Sequence, residues 1–579
     1  MTGHLVLMIT AFAALSAFAS NPGKPPTFNR DIAPVIFGQC VECHHPGGYG
    51  PFSLASYEEV KKRAKLIAHV TASRYMPPWL PEPGHGEFIG ARRLTNDQIA
   101  LIGRWVKEGA PEGAAADLKT RPRWEEGWQL GKPDLVAVMP LPYTLSSEGR
   151  DVYRNFVIPR IVPAERYLRA VEFRPGTTGA VHHAFILFDD TGEARRRAAQ
   201  QAEPGFAGMD AGEGAKMPDA MFLSWQPGKR AVEAPIGLSA VIGAGTDLVL
   251  QLHMRPTGKP EKIQASVALY FTDKPPRESA FRMMLRSVQI DIPAGISDYA
   301  IESAYRLPVD AKVLGVLPHL HYLGKEIHGW AELPDGRKEE LIYIKEWDFN
   351  WQGDYRLVTP LLLPAGSLLR MRYTYDNSEA NVRNPNQPPQ RVVYGLQSTD
   401  EMGELGIQLL PRNPVDLEIL ARDYFQNWAL PDTITRNKIL LQADPKDAAI
   451  RTELAAALLV GGRVVEAKQQ LRQALADDPR LARTHSVLSE VFIRQNDLSN
   501  AIAAGRRAVE LDPADAKAQN NLGWMLLERG DVAAATPYLE QAVRMAPSDT
   551  LAIQNLKRAR AMLSTTPRIS GDLSADGAD

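Results

Sequence analysis

The spacing of apolar residues changes character twice along the chain. Up to about Glu112 it is helical. The segment "LTNDQIALIGRWVKEGAPEG" sets Ile99, Ile102, Trp105 and Val106 along one face, behind Thr95 in the position of a helix N-cap. From about Trp124 to Pro411, short runs alternate apolar and polar residues between turn signals. Examples are "ERYLRAVEFRPG", "AFILFDDTGE", "TDLVLQLHMRPTGK" and "GWAELPDGRKEELIYI"; the last carries a Pro334-Asp335-Gly336 hairpin signal. Alternation means strands with one buried face, and many short strands without a long helical pattern predict β-sandwiches. The length of this region suits two in tandem. From about Asp444 the helical spacing returns.

The returning helices are periodic. Pro445, Pro479, Pro513 and Pro547 stand 34 residues apart, and Leu454/Leu488/Leu522, Ala467/Ala501/Ala535 and Ala474/Ala508/Ala542 share that period. This is the tetratricopeptide spacing. Residues 446–563 are read as three such repeats in an α-helical solenoid, closed by the capping helix "DTLAIQNLKRARAML". Small residues at the alanine positions let paired helices approach closely. Two roles stay open: a concave surface for a protein partner, or a buttress for the β region. Residues 414–445 are read as a helical connector, and the Ser/Thr/Gly/Asp-rich stretch 564–579 as a disordered tail.

With 579 residues the chain exceeds one hydrophobic core. A formal charge of −2 argues against a nucleic-acid partner or an anionic membrane surface. "LVLMITAFAALSAFA" (Leu5–Ala19) ends in the small-x-small pattern Ala17-Phe18-Ala19. Residues 1–19 are therefore read as a signal peptide, with a periplasmic or secreted destination; an uncleaved membrane anchor is the alternative. No other stretch is long and apolar enough to span a bilayer.

Only two cysteines are present, Cys40 and Cys43, too close in sequence to staple a large fold. They lie in "GQCVECHHPGG", and C-x-x-C-H is the attachment signature of c-type haem. Residues i and i+3 share a helix face, so both thiols could bond the haem vinyls while His44 serves as proximal iron ligand. A redox dithiol would lack its βαβ context, and a zinc site would need more ligands nearby. Met76 in "YMPPWLPEPG" is the candidate sixth ligand, with His69 competing; the plain alternative is a methionine packed on the haem edge. Residues 24–112 thus resemble a small class I cytochrome c, an all-α domain, followed by a linker over 113–133.

The β region collects histidines: His182 and His183 in "VHHAFILF", His253 in "LVLQLHMRPTG", His319 and His321 in "LPHLHYLG". Met402 follows in "STDEMGELGIQLL". Taken singly, each has an ordinary reading as a core or surface residue. Residues i and i+2 of a strand share a face, so His319 and His321 could hold one ion, though the spacing does not name the metal. Adjacent His182 and His183 point to opposite faces unless a strand end or bulge intervenes.

As an ordered set, His-His, "LQLH", "HLHYLG" and "DEM" resemble the copper type II, ascorbate-dependent monooxygenases, the family of peptidylglycine α-hydroxylating and dopamine β-monooxygenases. The resemblance covers roughly residues 130 to 413. It implies two β-sandwich (jelly-roll) domains, 134–274 and 275–413, each with one copper ion. His182, His183 and His253 would hold the first, and His319, His321 and Met402 the second, catalytic one, where O2 is used to hydroxylate a C–H bond. Imidazole suits copper, and a thioether favours Cu(I). No cysteine is left for the family's disulfides. Where the peptide-amidating members clamp a substrate carboxylate, this chain has Leu317 and Gly406, so peptide amidation is not expected.

The expectation is an exported monooxygenase with two coppers and one haem, taking a small-molecule substrate, O2 and electrons from an external donor through the haem. The alternatives are an electron-transfer or copper-binding protein without hydroxylase activity, and a repeat scaffold with metal-sensing domains.

Overall fold

The computed structural model describes residues 24–565 except 125, 126, 178, 213, 236, 547 and 548. The expected signal peptide, Pro547 of the repeat period and residues 566–579 of the expected tail lie outside the described residues. The described residues form two compact units: 24–78 with Arg92–Trp124, and Trp79–Ala91 with the described residues from 127 onward.

The first unit is helical. Its α-helices are Ala33–Gln39, Tyr57–Lys62, Ala64–Ala72 and Asn96–Lys107. Capping boxes, Ser56 with Glu59 and Thr95 with Gln98, satisfy the free N–H groups that open two of them. Ile102 and Trp105 are fully buried with Phe28, Ile32 and Ile36, while Ile99 and Val106 pack from the side. This is the face that the apolar spacing predicts.

The structure draws the boundaries of this unit differently from the sequence reading. The expected linker begins at residue 113, yet Gly113 and Ala114 accept hydrogen bonds from the buried Asn29 side chain, at 3.3 and 3.2 Å. Trp124 stacks on His45 at 5.2 Å and 7°. A buried amide needs acceptors, and this segment supplies them. Conversely, Trp79–Ala91 leaves the expected haem domain. Phe88 enters the core of the second unit, and Pro81 and Phe88 pair through their backbones with Ile344 and Leu357.

The second unit begins with a large β region of antiparallel sheets. Leu135–Val138, Ser266–Thr272, Arg166–Arg174 and Ala240–Ile242 form one sheet, with Val232–Glu233 beside Arg166–Arg174. Val152–Ile158, Asp247–Met254 and Val181–Asp189 are the middle of a six-stranded one. Two four-stranded sheets follow. One orders Phe281–Arg286, Glu404–Pro411, Ala311–His319 and Tyr355–Leu363; the other orders Tyr299–Arg306, Leu368–Tyr375, Gly324–Glu332 and Lys338–Ile344. These last two share one core, in which Val313, Val316, Leu405 and Ile407 meet Ile327, Leu369, Met371 and Tyr373. The Pro334-Asp335-Gly336 hairpin closes as predicted: Gly336 has φ +86°, and the Leu333 N–H reaches the Arg337 carbonyl at 2.8 Å.

Helices Pro414–Tyr424 and Leu430–Ala443 lead to three helix pairs and the last helix, Thr550–Thr565, which takes in Ser564 and Thr565 of the expected tail. Ala467, Ala501 and Ala535 have no exposed surface, as close helix pairing requires. No helix among the described residues is long and apolar enough to cross a membrane.

Arg286 ties the connector to the strands. Its Nε lies 2.5 Å from Asp432 and its Nη1 3.4 Å from Glu404, and all three side chains are at most 16% exposed. Arg286→Ala should cost about 3–5 kcal/mol of local stability, because two carboxylates would stay buried without their cation. Hydrogen exchange of the Leu430–Ala443 amides is the measurement; unchanged protection would show that packing alone holds this helix.

Candidate metal centre

Three strands set the first histidine cluster. Asp247–Met254 runs between Val152–Ile158 and Val181–Asp189, and His253 stands opposite both Tyr153 and His183. The register then slips: Met254 pairs with Val181, so His182 is the extra residue of a β-bulge. A bulge breaks the strict alternation of side chains. It brings the rings of adjacent histidines to one side.

The result is a convergent set of nitrogens. His183 Nδ1 lies 3.2 Å from His182 Nδ1 and 3.2 Å from His253 Nδ1. Ligands of a tetrahedral ion with bonds of about 2.0 Å stand about 3.3 Å apart, so the set has the size of a metal site. The outer nitrogens are held. His253 Nε2 meets Asp151 Oδ2 at 2.7 Å, and His182 Nε2 meets Asn350 Oδ1 at 3.1 Å. Both acceptors hold the proton on Nε2 and leave Nδ1 bare. Tyr153 stacks flat on His253 at 4.2 Å. Burial and the neighbouring imidazoles push His182 down to about 4 and His183 well below its usual value; burial also lowers His253, against the pull of Asp151. Neutral imidazoles are the form that binds metal.

The second pair sits where a strand ends. His319 closes Ala311–His319, and His321 lies two residues on, 2% exposed. Their rings are 5.1 Å apart. Here Nδ1 is the nitrogen in use: His319 Nδ1 meets Gln352 Oε1 at 2.5 Å, and His321 Nδ1 meets the Asp400 carbonyl at 3.0 Å. That leaves Nε2 of each ring for a ligand. Burial, with His319 adding to it, pushes His321 down to about 3.

Glu401 brings the methionine segment to this pair. Its buried carboxylate accepts from the backbone N–H groups of His321, Leu323 and Met402 at 3.0, 2.6 and 3.3 Å. Burial pushes the Glu401 carboxyl up to about 8 against those bonds. Met402 is 7% exposed, and its carbonyl accepts from Tyr375 at 2.7 Å.

One loop serves both clusters. Asn350 contacts His182, Gln352 contacts His319, and the Phe349 ring lies 5.9 Å from His182 and 5.7 Å from His321. Asp348 holds the loop by accepting from the Asn350 backbone and side chain at 2.9 and 2.8 Å. Sequence reasoning missed Asp151, Phe349, Asn350, Gln352 and the structural role of Glu401. None carries a periodicity or motif; only the acidic pair before Met402 left a mark in the sequence.

In the first unit, Cys40 and Cys43 lie on one turn: the Cys43 and His44 N–H groups reach the Cys40 carbonyl at 3.2 and 2.9 Å. His44 Nδ1 meets the Phe52 carbonyl at 3.0 Å, which leaves Nε2 for a ligand. A Cβ at Gly50 would fall 2.4 Å from His44 Nδ1, so the ring depends on that glycine. Burial, with Cys43 adding to it, pushes the Cys40 thiol up to about 12. Cys40 and Cys43 are not joined in a disulfide. Among the described residues no hydrogen bond or ring contact joins Met76 or His69 to His44. A cavity of about 450 Å³ in this unit is lined by Phe28, Phe37, Tyr57 and Leu118 and includes none of these residues.

The tetratricopeptide repeat family model matches residues 452–516 and 486–550. The chain therefore carries tetratricopeptide repeats, as its 34-residue period predicts. No curated protein matches it. Among solved structures, MamA protein is 21% identical over 25% of this chain and 78% of that one, with a TM-score of 0.22. A second MamA structure is 19% identical over 24% and 93%, with a TM-score of 0.21. YrrB, described as a TPR protein with an unusual peptide-binding site, is 19% identical over 27% and 79%, with a TM-score of 0.22.

Proposed function

We propose that this chain is a copper-dependent monooxygenase that hydroxylates a C–H bond of a small molecule with O2, and that its first unit is a cytochrome c-like haem domain acting as electron donor. The observation that carries this reading is the convergence of three imidazole Nδ1 atoms beside an H-x-H pair, with one loop touching both. His182, His183 and His253 would hold one copper; His319, His321 and Met402 the other; Cys40, Cys43 and His44, with Met76 or His69, the haem. When bound, copper supplies one-electron and O2 chemistry, and a six-coordinate haem supplies outer-sphere electron transfer.

The chain's own residues do the positioning. Asp151 and Asn350 keep protons on Nε2 and aim Nδ1 inward in the first set. Gln352 and the Asp400 carbonyl keep protons on Nδ1 in the second and free Nε2. The two sets thus differ in ligating nitrogen as well as in softness, since only the second adds a thioether. Glu401 fixes the spacing between His321 and Met402 through their backbones. The Phe349 ring, 5.7 Å from His321 and 4.5 Å from the Tyr322 ring, places apolar surface beside the second set. The two pairs of sheets are the jelly rolls of this reading. Residues 1–19 would direct the chain to the periplasm or outside, and the repeats would offer a surface to a protein partner.

The test uses purified full-length protein, with metal analysis and O2 uptake measured against candidate small molecules. Met402→Ile should abolish O2-dependent product while the all-histidine set keeps its copper, and X-ray absorption of the Cu(I) form should lose its sulfur shell. Copper-loaded protein that exchanges electrons but places no oxygen from O2 in a product would favour a pure electron-transfer role.

A further inference from the structure

A second group of metal-ligating side chains lies on the second unit and has no part in the reading above. His85, His328 and Glu340 present ligand atoms within 4.8 Å of one another. His85 Nδ1 and His328 Nε2 stand 3.0 and 2.8 Å from the same carboxylate oxygen, Glu340 Oε2.

Backbone structure holds all three in place. His328 is on Gly324–Glu332 and Glu340 on the neighbouring Lys338–Ile344. The register between these strands slips at Gly329/Trp330, where Gly329 pairs with Ile342 and Trp330 with Glu340. Leu341 is thus the extra residue of a bulge, and both Leu341 and Ile342 turn into the core. Glu340 then shares the outer face with His328. His85 arrives on Trp79–Ala91, which is pinned on both sides of it: the Glu82 N–H reaches the Tyr343 carbonyl and the Ile89 N–H the Arg356 carbonyl, each at 2.8 Å. The His85 ring packs on Tyr343 at 4.9 Å.

We propose that His85, His328 and Glu340 form a binding site for a divalent metal ion of the zinc type. Two imidazoles and one carboxylate are a donor set that zinc takes, with a fourth position left for water. The side chains are 33%, 24% and 24% exposed, so an ion and its water can enter. No sulfur is present, so the set does not select Cu(I). Ligands of tetrahedral zinc stand about 3.3 Å apart, and the imidazoles would retreat from the carboxylate by only a few tenths of an ångström. The bound ion would clamp Trp79–Ala91 onto the two strands.

Lys338 is the opposing charge. Its Nζ lies 3.0 Å from Glu340 Oε1 and 3.4 Å from His328 Nε2, and it sits over the Trp330 ring at 4.7 Å. A dication must enter against that ammonium. This separates a metal site from a simple ion-paired cluster: loss of Lys338 weakens the cluster but favours the metal.

The experiment titrates chelator-stripped full-length protein with Zn2+ by calorimetry, and with Co2+ by visible absorption. Wild type is compared with His85→Ala, Glu340→Gln and Lys338→Gln. His85→Ala and Glu340→Gln should each lose one bound zinc ion per chain, and Lys338→Gln should bind it more tightly. Zinc should slow proteolysis within Trp79–Ala91 in wild type and not in His85→Ala. The proposal is independent of the copper reading, because the histidines of that reading are unchanged in all three variants. Zinc stoichiometry and affinity unaltered in a folded His85→Ala protein would overturn it and leave a hydrogen-bonded cluster. Should Glu340→Gln fail to fold, His85→Ala decides.

Discussion

On the proposed copper reading, His183→Ala should empty the first site and reduce O2-dependent hydroxylation to background. His183 is the shared vertex of its cluster, with both other Nδ1 atoms 3.2 Å away. Without it two nitrogens remain, and the bond distances of a three-ligand site cannot be met from His182 and His253 alone. The second set would keep its ligands, so copper content should fall from two ions per chain to one. Asn350→Leu is the informative contrast. It removes no ligand; it takes away the acceptor that orients His182 and the side-chain bond to Asp348 that helps hold the loop. Loss of such an outer partner typically weakens metal binding by about 10–100-fold, so this variant should load copper at high concentration and lose it on dilution. Metal analysis after gel filtration separates the two. Two retained coppers in folded His183→Ala protein would remove this cluster from the proposal.

Replacing both Cys40 and Cys43 with alanine should remove all haem that survives denaturing electrophoresis. The two cysteines lie on one turn, and the chain has no other cysteine to substitute for them. Gly50→Ala should act on the same module in a different way. Its new Cβ would meet His44 Nδ1 at 2.4 Å, so the ring must shift and its bond to Phe52 must break. The thioethers would remain. Haem should therefore stay covalently attached while the absorption of the reduced iron changes, because His44, the proposed proximal ligand, has moved. An unchanged spectrum would mean that the ring accommodates the methyl group, or that another residue binds the iron. Haem still covalently bound in the double cysteine variant would end the c-type reading.

What could be read in the sequence follows the range of the interactions. Ile102 and Trp105 are buried where the helical spacing puts them, and Thr95 caps that helix with Gln98. The hairpin at Pro334-Asp335-Gly336 and the pairing helices at Ala467, Ala501 and Ala535 were equally legible. Each rests on neighbours within a few residues, or on a repeat whose units contact only the next unit. The histidines and Met402 were legible as an ordered motif, because residue type and order along the chain survive without coordinates.

Their assembly was not legible. Alternation places His182 and His183 on opposite faces, and only the slipped register against Met254 brings them together. Asn350 and Gln352 matter because their loop folds between two clusters, at 168 and 33 residues of sequence separation from His182 and His319. Trp79–Ala91 falls inside the expected haem domain 24–112, yet its backbone pairs with strands more than two hundred and fifty residues away. The chain by itself determined which segments are helices and which are strands, and it displayed the residue types and order of the histidine motif, since local periodicity and side-chain chemistry encode these. The tertiary structure decided which of them meet, because strand register and loop docking are set by pairings between distant segments that leave no period in the sequence.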